Sequence, residues 1–119
     1  MNMVNLFQRR IVQSARYSLQ GLLLTWKEEE AFRVEVLLAL FLVPLGLYLG
    51  EDRVEKVLLL GSIVVVLIVE LLNSAVESVV NRVGSEQHEL SGRAKDQGSA
   101  AVLLALLLVL VVWGLVLWP

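Results

Sequence analysis

Residues 98–118 read GSAAVLLALLLVLVVWGLVLW and contain no charged side chain. At about 1.5 Å of rise per residue, a helix of this length covers the roughly 30 Å hydrocarbon thickness of a bilayer. Two more runs qualify. Residues 34–50, VEVLLALFLVPLGLYLG, form a short span interrupted by Pro44. Residues 54–74 form the second; it is free of charge from 57 to 69 and continues as an amphipathic helix to 83. A soluble domain of 119 residues has too little polar surface to cover a composition that is 57% hydrophobic. Within hydrocarbon every backbone polar group must be satisfied internally, which selects helices. The expected fold is an all-α membrane protein.

The expected organisation is one domain, 1–119. It has a surface helix over 5–26, helices with transmembrane portions over 34–50, 54–83 and 95–118, and a polar loop over 84–94. Pro44 removes one backbone donor and is expected to kink the first span. In the surface helix Phe7, Ile11, Ala15, Leu19, Leu22 and Trp26 recur at helical spacing, with Gln8, Arg9, Gln13, Arg16 and Gln20 largely between them. That pattern fits a helix lying flat in the membrane interface, or one packed on a bundle. Gly46 and Gly50, and Gly98, Ala101 and Ala105, have the small-residue spacing that permits close helix contact, although such spacing is common by chance.

Charge and composition narrow the function. A net charge of −2 does not favour a polyanionic partner, so no nucleic acid is expected. The chain has no cysteine, which excludes disulfides, thiolate catalysis and cysteine-ligated zinc. The first 35 residues lack a compact apolar core followed by a small-residue cleavage site, so a secretory signal is not expected. Arg9, Arg10, Arg16, Lys27 and Arg33 precede the first span, and Arg82, Arg93 and Lys95 lie between the second and third. By the positive-inside bias both segments are cytoplasmic, with the 50–56 turn and the C-terminus outside. Trp113 and Trp118 then fall near the outer end of the third span, as an aromatic belt would have them.

The second span ends in VELLNSAVE, residues 69–77. With Glu70 at zero on a helix turning about 100° per residue, Asn73 lies near about −60°, Ser74 near about +40°, Glu77 near about −20° and Asn81 near about +20°. These five polar residues share one sector, and Leu72, Val76, Val79 and Val83 occupy the other side. Glu70 falls roughly 24 Å along a helix starting at Val54, and Glu77 about 10 Å further on, near the headgroups. An ionisable residue inside a span marks a functional candidate, although a structural, hydrogen-bonded carboxylate is the plainer reading for Glu70 alone. Two carboxylates at this level fit a proton relay, a cation site or a metal-dependent active site. Glu70 is suited to accept a proton, and Glu77, nearer water, to hold a hard cation such as Mg²⁺. Paired carboxylates also serve glycosidases, but the membrane depth and the lack of a sugar-binding aromatic cluster argue against that.

Two other stretches lie at the same membrane level. KEEEAFRVE, residues 27–35, reads most simply as a solvated charge run at a helix start, yet it could share a metal with Glu77. Residues 84–99, GSEQHELSGRAKDQGS, hold the sole histidine, Arg93, Lys95 and three glycines. Glycines let a backbone approach a ligand, and a lysine offers point charge to phosphate. No Walker motif and no protein-kinase signature is present. His88 reads as a hydrogen-bonded loop residue.

EEAFRVE (29–35), VELLNSAVE (69–77) and GSEQHELSGRAKDQGSAAV (84–102) together resemble the small integral-membrane diacylglycerol kinases of Gram-negative bacteria. The resemblance extends from 17 to 118. It implies a homotrimer in the bacterial inner membrane, with three spans and one surface helix per chain and active sites shared between subunits. The implied reaction moves the γ-phosphate of MgATP to the primary hydroxyl of diacylglycerol, giving phosphatidate. By motif position Glu70 resembles the general base, and Glu29 and Glu77 resemble the carboxylates that hold the metal on ATP. Arg10, Tyr17, Lys95 and Asp96 match nucleotide-contacting positions. Ser18, Arg33, Glu35, Asn73 and Ser99 match positions that bind substrate or orient the site. Glu30, Asn81 and Gln87 depart from the family pattern, which has alanine, aspartate and tyrosine there. The related undecaprenol kinases share Glu-x-x-Asn-x-x-x-Glu and a Lys-Asp pair, so another lipid alcohol is the alternative acceptor. A small proton-coupled transporter and a purely structural oligomer are the more distant alternatives.

Overall fold

The computed structural model describes residues 2–84 and 88–119. Four helices account for nearly all of them: α1 (Met3–Glu28), α2 (Glu30–Leu49), α3 (Arg53–Val83) and α4 (Glu89–Leu117). Among the described residues there is no strand. The last three helices are each long and apolar enough to cross a membrane, and the chain is a multi-pass membrane protein.

Local chemistry sets each boundary. The side chain of Asn2 accepts from the Asn5 amide at 2.8 Å and caps α1. Asp52 caps α3 through the Glu55 amide at 2.8 Å, and Glu55 returns a carboxylate oxygen to the Glu51 amide at 3.1 Å. This reciprocal pairing satisfies backbone donors in a tight turn between two spans. His88 Nδ1 accepts from the Leu90 amide at 3.1 Å, which makes the histidine the cap of α4. The third span's helix therefore starts at Glu89, where sequence reading expects a loop over 84–94 and a helix from 95. The cause is that cap, followed by Glu89, Leu90, Arg93 and Ala94, whose helix propensity outweighs Gly92. Gln87, one of the three departures from the family pattern, lies outside the described residues. α2 runs through Pro44 as one helix.

Only Glu29 separates α1 from α2. Its backbone is extended, with φ −115° and ψ 110°. Its amide still donates to Thr25 O at 2.9 Å, and its carbonyl accepts from the Arg33 amide at 3.2 Å. The chain thus turns on a single residue whose own amide and carbonyl both keep helical partners. α1 leaves the bundle there and contains no buried residue. Extents of 50 × 48 × 22 Å follow from this L shape. The apolar stripe of α1 stays exposed, as an interfacial helix requires.

α3 is the central helix and packs on both α2 and α4. Leu59, Ile63 and Val66 of α3, Phe32 and Ala39 of α2 and Ala105 of α4 form the buried core. Small residues let the backbones approach: the position a Cβ would take at Gly46 lies 3.2 Å from Leu59 Cβ and 3.4 Å from the Trp113 ring. The Trp113 indole donates to Leu59 O at 3.3 Å and to Ser62 Oγ at 3.2 Å. Sequence reading places Trp113 in an interfacial belt near the outer end of the third span; in the structure its ring is half-buried and its N–H finds partners on α3. Trp118 is 81% exposed.

Candidate active site

The deeper part of the polar stripe of α3 points into the protein. Glu70 is 5% exposed, and Ser74 beside it is buried. From α2, the Glu35 carboxyl lies against Glu70, and the charges of Glu29 and Glu77 bear on the same group. Four carboxyl groups from α2, α3 and the α1–α2 corner therefore converge on one end of the bundle. One turn beyond Glu70, Asn73 Nδ2 donates to Glu77 Oε1 at 3.4 Å. Glu35 Oε2, Asn73 Oδ1 and Ser74 Oγ are buried without a hydrogen-bond partner. A buried polar atom left unpaired is costly, and three together mark a site built to receive polar groups.

Two cavities reach this cluster. A cleft of about 540 Å³ opens between α1 and α3, with Ser18, Thr25 and Glu29 on one wall and Leu71, Ser74 and Ser78 on the other. An apolar crevice of about 290 Å³ lies on the hydrocarbon side of Glu35, bounded by Leu38, Ala39, Ile63, Val66 and Leu106. Glu35 thus borders the apolar crevice, and Ser74, one turn from Glu70, borders the cleft.

Of the acid triplet Glu28–Glu30, Glu29 is half-buried, whereas Glu28 and Glu30 are exposed. Arg33 donates from Nη1 to Trp26 O at 2.8 Å and to Lys27 O at 3.0 Å. A guanidinium on the last carbonyls of a helix complements the dipole and here braces the corner that holds Glu29. The hydroxyl of Ser18 lines the cleft while donating to Ser14 O at 2.8 Å. Lys95, Asp96 and Ser99 lie on the exposed surface of α4. Gly98 of α4 abuts Asn73, and the two helices are antiparallel, so Lys95 and Asp96 sit about one turn nearer the Glu77 end. Arg10 and Tyr17 are exposed on α1, roughly 28 Å and 18 Å along the helix from Glu29. One chain does not bring those two to Glu70. Asn81 is exposed.

Sequence reading leaves Ser74 and Gly98 out of the candidate site. Ser74 was visible on the helical wheel, at the edge of the stripe. Gly98 could be found only from packing.

Among the described residues no three His, Asp or Glu side chains converge on a point suited to an ion. Magnesium carried by nucleotide does not need such a cage, since phosphates and water complete its shell around one or two carboxylates. Glu29 and Glu77, whose charges both bear on Glu70, fit that demand, with the Asn73 amide hydrogen-bonded to Glu77.

The model of the prokaryotic diacylglycerol kinase family matches residues 16–117. The chain belongs to that family. It is 55% identical over 108 residues to the diacylglycerol kinase of Haemophilus influenzae, covering 91% of this chain and 92% of that one. With the diacylglycerol kinase of Escherichia coli K12 it shares 50% identity over 109 residues, 92% and 89% of the two chains. The Pseudomonas aeruginosa diacylglycerol kinase is 45% identical over the same shares. The family match includes every candidate residue from Tyr17 to Ser99; Arg10 lies before it.

Proposed function

We propose that the chain is an ATP-dependent lipid kinase that transfers the γ-phosphate of ATP to the primary hydroxyl of diacylglycerol, giving phosphatidate and ADP. The observation that carries this reading is the buried Glu70, with the half-buried Glu35 beside it, in a diacylglycerol kinase family member, set deeper in the bundle than Glu77 and Asn73. A lipid hydroxyl sits at headgroup level and nucleotide arrives from water, so the proton acceptor must be the deeper group and the phosphate-facing groups the shallower. Glu70 and Glu77 have that order, about 10 Å apart along α3.

Glu70 takes the proton from the lipid hydroxyl as its oxygen bonds to the γ-phosphorus. The bond from that phosphorus to the bridging oxygen breaks, and its electron pair leaves with ADP. Glu35 holds Glu70 in place. Glu29 and Glu77 would hold Mg²⁺ on the ATP phosphates, with Asn73 steadying Glu77. When bound, that ion supplies positive charge against the phosphate oxygens. Phosphoryl transfer draws its rate from positioning and charge compensation, which this layout favours. Lys95 and Asp96, at the shallow level, and Arg10 and Tyr17, on the surface helix, are assigned to nucleotide; Ser18 and Ser99 to substrate or site orientation.

The assembly is a homotrimer with sites shared between subunits, in the bacterial inner membrane, with the N-terminus and the 84–94 segment cytoplasmic. Support comes from the exposure of Arg10, Tyr17, Lys95 and Asp96 and from the apolar faces along α4. Residues that one chain leaves apart can meet across an interface. The test is transfer of label from γ-labelled ATP to lipid in mixed micelles holding diacylglycerol or undecaprenol. Phosphatidate as the dominant product supports the reading. Preference for undecaprenol moves the chain to the alternative acceptor, and lack of transfer to either removes the kinase assignment.

A further inference from the structure

Gly98 stands where α4 crosses the turn of α3 that holds Asn73. A Cβ built at this glycine would collide with Asn73 Oδ1 and lie 3.2 Å from Asn73 Cγ. The backbone of α4 is therefore the wall against which the amide rests. The other end of that amide, Nδ2, donates to Glu77 Oε1 at 3.4 Å. Asn73 Oδ1 is buried and unpartnered, so the long Nδ2 contact is the one hydrogen bond that bears on the amide's direction. What remains to set it is the shape of the space, and Gly98 provides that shape. By contrast, a Cβ at Gly114 of the same helix meets nothing within 4 Å.

We propose that Gly98 is a positioning residue: its missing side chain seats the Asn73 amide with Oδ1 against the α4 backbone, so that Nδ2 reaches Glu77. The inference rests on the reading of Asn73 and Glu77 as the nucleotide-facing part of the kinase site. Adding one methyl group at 98 must rotate the amide or push α4 outward, because the colliding partner is a short side chain with two torsions. Rotation takes Nδ2 from Glu77 and leaves that carboxylate less constrained. Metal dependence then suffers before the fold does.

The experiment is a double-mutant cycle on the full-length protein in mixed micelles, with Gly98→Ala, Asn73→Ala and the pair, each titrated with magnesium at fixed ATP and diacylglycerol. Oligomeric state is read by size-exclusion chromatography in detergent, with Gly114→Ala as the control for a methyl group added to α4. Gly98→Ala is expected to raise the magnesium concentration at half-maximal rate by about fivefold or more with assembly retained. In the Asn73→Ala background the same substitution is expected to change it by less than about twofold, since the atom it strikes is gone. An unshifted magnesium titration in Gly98→Ala, or an undiminished effect in the Asn73→Ala background, overturns the proposal. If Gly98→Ala fails to assemble, the pair decides: a double variant that assembles supports the collision with Asn73, and one that does not overturns it. Asn73→Ala with parental turnover and parental magnesium dependence would instead sink the underlying site reading, and the positioning role with it.

Discussion

Glu70→Gln separates a proton acceptor from a mere polar filler. Glutamine keeps the shape and can still hydrogen-bond the Glu35 carboxyl, so the buried packing around a residue that is 5% exposed survives. What disappears is the capacity to take a proton from the lipid hydroxyl. Positioned general bases contribute about 10²–10⁴ in rate, or about 3–5 kcal/mol at 1.36 kcal/mol per decade. Glu35 touches the same group, and Glu35→Gln provides the internal comparison. On the present assignment its loss weakens one hydrogen bond to Glu70, worth about 1 kcal/mol, so turnover falls by roughly five- to tenfold. The assay is initial-rate formation of phosphatidate from γ-labelled ATP in mixed micelles, at saturating lipid and nucleotide, with oligomeric state checked in detergent. Glu70→Gln must lose more than about tenfold beyond Glu35→Gln. Turnover within a factor of ten of the parent would remove Glu70 as the base. Equal losses in the two variants would leave no ground for assigning the base to Glu70 rather than Glu35.

Glu77→Gln should shift the magnesium titration upward by about tenfold, the scale of one charge-assisted contact of about 1.5 kcal/mol, and an unmoved midpoint would take the carboxylate off the metal. Arg33→Gln deletes the guanidinium contacts to Trp26 O and Lys27 O. Amide hydrogen exchange at 29–30 should then quicken by about tenfold or more, while α3 and α4 exchange as before. Trp113→Phe removes the indole hydrogen bonds to α3. It should lower resistance to unfolding in a denaturing-detergent titration by about 0.6–1.7 kcal/mol, the measured scale for hydrogen bonds between membrane helices.

The existence and order of the helices were legible because apolar length is a one-dimensional property: a charge-free stretch such as 57–69 has few ways to be satisfied other than as a span. The inward direction of Glu70, Ser74 and Glu77 was legible too, since helical phase places polar residues on one sector before any partner is known. Capping chemistry was harder. His88 reads as a loop residue until its ring is seen to accept the Leu90 amide, and this one bond turns residues expected in a loop into the first turn of α4. Trp113 shows the same limit. Its position near a span end suits a headgroup belt, but whether an indole faces lipid or protein depends on which acceptor lies across the helix interface, here Leu59 O and Ser62 Oγ. The Arg33 brace and the Gly98 wall are likewise contacts between separate segments, which no local pattern carries.

Glu29 joins these two kinds of information. In the sequence it is one of three adjacent acids, and a charge run at a helix start needs no function. The backbone removes that ambiguity: Glu29 is the single non-helical residue between α1 and α2, half-buried at the cleft, while its neighbours are exposed. An extended residue between two rigid helices is held by both, so its backbone can move only if their angle changes. Arg33 fixes that angle through the last carbonyls of α1. A surface helix lying in the interface would therefore couple its own tilt to the placement of one acid at the site. A helix merely packed on the bundle would not, since its exposed stripe would have no lipid surface to register.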